Sequence, residues 1–166
     1  MSRWREPTPS SSAYITPEGY SRMESELQEL WQRRTLVTQA VTAAAAEGDR
    51  SENAEYMYRK KELRGLDSRI AYLQKRMPIL KIVTNVKNNA QIYFGAWVCL
   101  EDERGKSLRY RIVGADELDH GQDLISIDSP LGRALLGKSC DDGISLTIGE
   151  RTQNYYIVSI NYENPK

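Results

Sequence analysis

Two long segments of the chain carry apolar residues at alternating spacings of three and four, which is the pattern of a helix with one buried face. The first set is Tyr20, Met23, Leu27, Leu30, Val37, Val41 and Ala44. The second set is Tyr56, Leu63, Leu66, Ile70, Leu73, Met77 and Leu80. Only a short polar stretch, residues 48–56, separates the two patterns. Two such helices joined by a short turn predict an antiparallel coiled coil.

Local signals predict where these helices begin and end. Thr16 and Pro17 have the residue types of an N-cap and a first helical position. The first helix is therefore expected over 17–46, an arm of roughly 45 Å at 1.5 Å per residue. The second helix is expected from near Ser51 to just before Pro78, because proline disfavours a helical conformation in the residue preceding it.

Matching the two apolar stripes about the turn predicts a register in which facing residue numbers add up to about 97. The resulting pairs are Tyr20 with Met77, Leu27 with Ile70, Leu30 with Leu66, and Val41 with Tyr56. Arg34 and Arg59 interrupt the apolar stripes. A charged side chain in such a seam weakens packing unless its charged group reaches water or an anion. Both arginines therefore indicate either a local electrostatic function or control of the helix register.

The pattern changes to strand-like alternation from about residue 85. Strands are expected over 92–100, 108–113, 124–127, 144–148 and 156–162, with a hairpin loop over 101–106 and a short helix over 130–136. Ser129 is expected to cap that helix, and Gly137 to end it. The chain is thus predicted to have an α+β fold, with a disordered tail over 1–13, a coiled-coil arm over 14–84 and a compact α+β domain over 85–166.

Composition narrows the function classes. The 166 residues contain 23 Lys+Arg and 23 Asp+Glu, so the formal net charge is zero. This argues against a protein held on nucleic acid or a membrane by bulk charge alone. We expect no transmembrane helix and no secretory signal, because no long apolar run exists. Cys99 and Cys140 are isolated, which favours a reduced, cytoplasmic chain, and His120 lacks the partner pattern of a catalytic histidine.

The predicted turn carries the acidic residues Asp49 and Glu52 at the end of a long arm. One interpretation is structural: Asp-x-x-Glu at a helix start satisfies unpaired backbone amides, and Ser51 competes for the same cap. The other is that the two carboxylates are hard oxygen ligands that share one Mg²⁺ ion. Such a pair binds metal weakly alone and needs a second site to complete the shell.

A basic strip follows on the second helix, formed by Tyr56, Arg59, Lys60, Lys61 and Arg64. One interpretation is a solvated helix face, with Glu55 and Glu62 as ion-pair partners of the cations. The other is a surface that contacts single-stranded RNA. Cations interleaved with an aromatic residue suit phosphate contact and base stacking.

Several motifs resemble the bacterial Gre transcript cleavage factors. They are the helix entry at 15–20, the turn at 48–56 and the Ser-Pro-Leu-Gly-Arg stretch within 125–138. Residues 93–98 and 111–114 look most similar to the GreB branch of that family. The resemblance covers the chain from about 14 to 162.

This resemblance implies a monomeric elongation factor that is not itself an enzyme. The coiled coil would enter the secondary channel of RNA polymerase, and an FKBP-like C-terminal domain would dock at its entrance through Asp128, Ser129 and Pro130. Asp49 and Glu52 would act as catalytic and metal-binding residues by helping to hold a Mg²⁺ ion of the polymerase active centre. The basic strip would hold the 3′ end of the nascent RNA of a backtracked complex, which the polymerase then cleaves.

Two other interpretations stay open. The family also contains regulators that occupy the channel and inhibit, although they differ at the turn. A prolyl isomerase or chaperone is suggested by the C-terminal fold alone, which is a weak argument. An isomerase requires an apolar pocket lined by aromatic residues, and Phe94 is the single phenylalanine.

Overall fold

The structure, a computed structural model, describes residues 11–48, 53–84 and 90–163. The chain divides into two compact units. One unit is Glu18–Leu80, and the other joins the preceding residues to the chain from Lys81 onward. Both units together form the mixed α+β fold that the sequence predicts. In the described part of the chain, no helix is long and apolar enough to cross a membrane.

The first unit is a helical hairpin. Helix α1 spans Pro17–Ala46 and helix α2 spans Ala54–Arg76, followed by a 3₁₀ turn at Met77–Ile79 that contains Pro78. The predicted bounds of α1 and the end of α2 before Pro78 are confirmed. The predicted start of α2 near Ser51 is wrong, because the helix begins at Ala54 and its N-cap is Asn53.

Apolar side chains and cross-helix ion pairs hold the hairpin together. The buried apolar positions are Met23, Val37, Ala44, Ile70 and Leu73. Arg69 Nε lies 2.7 Å from Glu26 Oε1, which joins α2 to α1. Arg34, whose role the sequence left open, joins the helices in the same way, since its Nε lies 2.5 Å from Asp67 Oδ1. The seam arginine therefore acts as a register contact.

The second unit is built on a five-stranded sheet with the strand order β5-β4-β3-β7-β6. Its strands are β3 (Trp97–Asp102), β4 (Ser107–Val113), β5 (Leu124–Ser126), β6 (Gly143–Ile148) and β7 (Arg151–Asn161). All neighbouring strands are antiparallel except β4 and β5. Helix α3 (Pro130–Leu135) contributes Leu135 to the core of buried residues, which also contains Val98, Leu100 and Ile112.

One predicted strand begins later than expected. The apolar run 92–100 is extended only from Trp97. Ahead of it, Ala96 N donates to Tyr93 O at 3.2 Å, and Gly95 has a φ of 85°. A left-handed residue cannot continue a strand, so the run turns before it joins the sheet.

Residues 11–17 belong to the sheet unit, although the sequence assigns 1–13 to a tail and 14–17 to the arm. Strand β1 (Tyr14–Ile15) pairs in parallel with β2 (Lys81–Ile82). Ser12 N donates to Asp128 Oδ2 at 2.8 Å. Backbone pairing with β2 and a hydrogen bond to Asp128, which is 116 residues away along the chain, thus hold this segment in place.

The anchor of this segment is the buried carboxylate of Glu117. Thr16 N and Gly114 N donate to Glu117 Oε2 at 3.1 and 2.9 Å, and Thr16 Oγ1 donates to Oε1. Glu117 and Thr16 are each 1% exposed. Gly114 is required here, because a Cβ at this position would lie 2.1 Å from Tyr14 O. A buried carboxylate is tolerated because these donors replace its hydration.

We expect Glu117→Ala to lower the free energy of unfolding by about 3 kcal/mol, because three buried donors lose their acceptor. Asp119→Ala is the matched control, since Asp119 is exposed and lies with Glu117 in the 3₁₀ helix Ala115–His120. It should change stability by less than about 0.5 kcal/mol. Urea unfolding of the full chain measures both, and equal midpoints for the two variants would contradict the anchoring role.

Candidate functional site at the hairpin turn

The two acidic residues that the sequence singles out, Asp49 and Glu52, lie outside the described residues. The structure describes the chain on both sides of them. On the α1 side, Glu47 N donates to Ala44 O at 3.3 Å, and Gly48 has a φ of 146°. On the other side, α2 begins directly after Asn53.

Asn53 joins the ends of the two helices. Its Oδ1 accepts from Tyr56 N at 3.0 Å, which satisfies a free amide at the start of α2. Its Nδ2 donates to Ala44 O at 2.8 Å, which satisfies a carbonyl near the end of α1. One side-chain amide therefore caps both helices and brings Ala44 and Asn53 into direct contact.

This contact answers the capping question that the sequence leaves open. The N-cap position of α2 is taken by Asn53, so the prediction that Asp49 or Ser51 caps this helix is wrong. Asparagine is suited to the position because its amide both accepts and donates, whereas a carboxylate only accepts.

The predicted basic strip divides into two parts. Arg59 is tied down: its Nε lies 2.7 Å from Glu55 Oε1, and its Nη1 lies 3.2 Å from Glu62 Oε2. Hydrogen bonds to Glu55 and then to Glu62 raise the pKa of the Arg59 guanidinium. The ion-pair interpretation of the strip is therefore confirmed for Arg59.

The remaining cations of the strip are exposed. Lys60 Nζ lies 5.5 Å from the ring centroid of Tyr56, so the two side chains form a cation–π pair. Lys61 and Arg64 are also exposed, and none of the ion pairs among the described residues involves them. Tyr56, Lys60 and Arg64 follow at intervals of four, which places them on one side of α2.

Arg33 belongs to this site, although sequence reasoning missed it. Its Nε lies 2.9 Å and its Nη2 2.5 Å from Glu62 Oε1. Arg33 is the largest cause of the lowered pKa of Glu62, ahead of Arg59. Glu62 thus stays ionised below its ordinary pKa, and its contribution to stability is lost only when the pH falls through that lowered value. The predicted register contained part of the signal, since Glu62 lies within one helical turn of the position that it places opposite Arg33.

The three predicted docking residues have local structural roles. Ser129 Oγ accepts from Gly132 N at 3.0 Å and so caps α3, and Pro130 is the first residue of that helix. Asp128 accepts the hydrogen bond from Ser12 described above. These contacts confirm the predicted cap.

An apolar cavity of about 430 Å³ lies in the same unit. Its lining residues are Tyr14, Val83, Tyr93, Phe94, Ile127 and Leu136. Tyr14 and Phe94 have ring centroids 6.0 Å apart. Tyrosines therefore supply an aromatic lining that the single phenylalanine did not lead us to expect.

Metal ligation at the turn would depend on Asp49 and Glu52. In residues 11–48, 53–84 and 90–163, no group of three or more histidine, cysteine or acidic side chains could hold a metal ion.

Comparison with known proteins supplies the family. Residues 13–82 match the family model "Transcription elongation factor, N-terminal", and residues 87–162 match "Transcription elongation factor, GreA/GreB, C-term". The chain is 52% identical over 165 residues to transcription elongation factor GreB of Xanthomonas axonopodis pv. citri, covering 98% of each chain. It is also 52% identical over 164 residues to GreB of Pseudomonas aeruginosa, again covering 98% of each chain.

Two solved structures also align with the chain. A structure of the transcription factor Gfh1 aligns with a TM-score of 0.45 at 25% identity, covering 91% of this chain and 98% of that one. A GreA/GreB elongation factor from Nitrosomonas europaea aligns with a TM-score of 0.42 at 20% identity, covering 91% of this chain and 100% of that one. On the family models and the curated relatives, the chain belongs to the GreA/GreB family of transcription elongation factors.

Proposed function

We propose that this elongation factor binds bacterial RNA polymerase and stimulates cleavage of the 3′ RNA in backtracked or arrested complexes. The hairpin would enter the secondary channel of the polymerase in the cytoplasm, as the resemblance to the Gre factors implies. The chain would act as a monomer and would not catalyse the reaction alone.

The observation that carries this proposal is the bridge made by Asn53. Because Asn53 occupies the N-cap position of α2, neither Asp49 nor Glu52 holds that position. Asp49 and Glu52 are then available for a role other than capping α2. Two carboxylates on a short connection at the end of a narrow hairpin suit delivery of negative charge into a confined site.

The chemistry follows from the ligands of Mg²⁺. This ion is commonly held by one or two carboxylates, with waters and substrate phosphates completing the shell. When bound, it stabilises the charge of a phosphoryl transition state and activates water. Asp49 and Glu52 would supply oxygen ligands in trans to a Mg²⁺ ion that the polymerase already holds in part, so the chain alone binds no metal stably.

The exposed stripe on α2 would contact the extruded RNA. Lys60, Lys61 and Arg64 carry positive charge that has no ion-pair partner in the described part of the chain. Tyr56 supplies a ring beside Lys60. Arg59 would serve this surface indirectly, because its ion pairs with Glu55 and Glu62 hold the helix face in place.

Docking on the polymerase would involve the loop that carries Asp128, Ser129 and Pro130. Its backbone is held by the Ser129 cap and by the contact with Ser12, which leaves Pro130 exposed. A rigid, exposed loop of this kind suits a protein contact.

We expect Asp49→Asn/Glu52→Gln to abolish stimulated cleavage while polymerase binding persists, because the change removes both charges and preserves shape. The measurement is Mg²⁺-dependent RNA cleavage in a reconstituted backtracked complex, with binding followed in parallel. Glu47→Gln is the control, since Glu47 is exposed beside the turn. Binding by the wild-type chain without stimulated cleavage would instead assign it to the regulators that block the channel.

Two variants of Asn53 distinguish the effects of its two hydrogen bonds. Asn53→Ala removes both hydrogen bonds and should lower the free energy of unfolding by about 1–2 kcal/mol. Asn53→Asp keeps the acceptor for Tyr56 N but removes the donor to Ala44 O, so it should preserve α2 yet raise the Mg²⁺ concentration needed for cleavage. Urea unfolding and a Mg²⁺ titration of cleavage test this, and wild-type Mg²⁺ dependence in Asn53→Asp would contradict it.

The RNA contact predicts a change in salt dependence. Lys60→Ala/Lys61→Ala/Arg64→Ala should lower the cleavage activity of the factor. It should also reduce the slope of log affinity for the backtracked complex against log salt concentration by about 0.7 for each lost phosphate contact. Lys75→Ala is the control, since Lys75 is an exposed cation far along α2. An unchanged slope in the triple variant would exclude phosphate contact by this stripe.

A further inference from the structure

A second cationic site lies on the sheet, on the face opposite its core. Val98 and Leu100 of β3 are buried, so the alternating residues Trp97, Cys99 and Glu101 point to the other side. Strand β4 pairs Arg111 with Trp97 and Arg109 with Cys99. Both arginines therefore lie on the same outer face as Trp97.

The two arginines converge on the indole. The guanidinium carbon of Arg109 lies 4.8 Å from the Trp97 ring centroid, and that of Arg111 lies 5.7 Å from it. Arg111 is also held by the backbone, with its Nε 3.4 Å from Gly95 O. Tryptophan offers the strongest side-chain surface for such stacking. A stacked guanidinium keeps its N–H edges free to bind an oxyanion with two parallel hydrogen bonds.

Within the part of the chain that the structure describes, Arg109 forms no ion pair. It is also exposed. Trp97 Nε1 is buried without a hydrogen-bond partner in the part of the chain that the structure describes. A phenylalanine would fill this position without leaving a donor unpaired, so the particular contribution of the indole is its ring surface for the arginines.

We propose that Arg109, supported by Trp97 and Arg111, binds a carboxylate-bearing segment of RNA polymerase. The proposal rests on the proposed function, which supplies the partner. It adds a contact on the sheet face opposite the core to which Leu135 of α3 contributes.

Composition favours a protein partner over nucleic acid. Tryptophan, tyrosine and arginine dominate the residues that carry protein–protein binding energy. On this face, Tyr156 of β7 pairs with Glu101 and is 58% exposed. Two arginines on a chain of zero net charge offer few phosphate contacts, whereas nucleic-acid binding at physiological salt depends on several.

The test compares Arg109→Glu with Arg104→Glu in the full chain. Arg104 is an exposed arginine in the loop between β3 and β4, so it receives the same charge reversal without a stacked indole. Binding is measured on bacterial RNA polymerase core enzyme. Arg109→Glu should weaken the affinity at least about tenfold, and Arg104→Glu less than about twofold. Arg109→Lys should lie between them, because lysine keeps the charge but loses the paired hydrogen bonds.

Further readouts separate the outcomes. At saturating factor, the cleavage rate of Arg109→Glu should equal that of the wild type, and its thermal unfolding should be unchanged. Equal affinities for the two reversal variants would overturn this inference while leaving the proposed function intact. Weaker binding of Arg109→Glu to a single-stranded RNA oligonucleotide, with polymerase affinity unchanged, would replace the protein partner with nucleic acid. Failure of the wild-type chain to bind polymerase would overturn both proposals.

Discussion

A two-helix hairpin has no core beyond the seam between its helices, and this constraint governs how the arm is built. Each helix can bury only one stripe, so contacts at the edges of the seam must supply what packing alone does not. Arg34–Asp67 and Arg69–Glu26 serve this purpose along the hairpin. Exposed ion pairs contribute little stability individually, so their main effect is to favour one register over its neighbours.

The same constraint is strongest at the turn, where the seam ends. Asn53 resolves it there by pairing with a backbone group of each helix, so that neither helix end leaves that group unsatisfied. Just behind the turn, Glu62 accepts from Arg33 and Arg59, which ties the two helices together again. Side-chain contacts thus join the two helices at the ends that flank residues 49–52 and again further along the hairpin.

The sheet unit solves a different problem. The segment 11–17 is distant in sequence and must be held against the sheet. The buried carboxylate of Glu117 holds it by accepting hydrogen bonds from Thr16 N and Gly114 N. The outer face of the sheet leaves Arg109 stacked and exposed, whereas Arg33 and Arg59 of the hairpin form ion pairs. Cations in ion pairs stabilise the fold, whereas cations without an ion pair are available to bind another molecule.

Much of the fold follows from the sequence alone. The helical periods, the stop before Pro78, the Ser129 cap and the strand alternation depend on residues close together in the chain, and the family motifs are continuous stretches. The contacts that shape the candidate sites are not local. Arg33 and Glu62 are 29 residues apart, and Thr16 and Glu117 are 101 apart. Tertiary structure alone decided these pairs, because a side chain's partner depends on which elements pack together, and the same holds for the hydrogen bond from Asn53 Nδ2 to Ala44 O, which needs the two helices side by side.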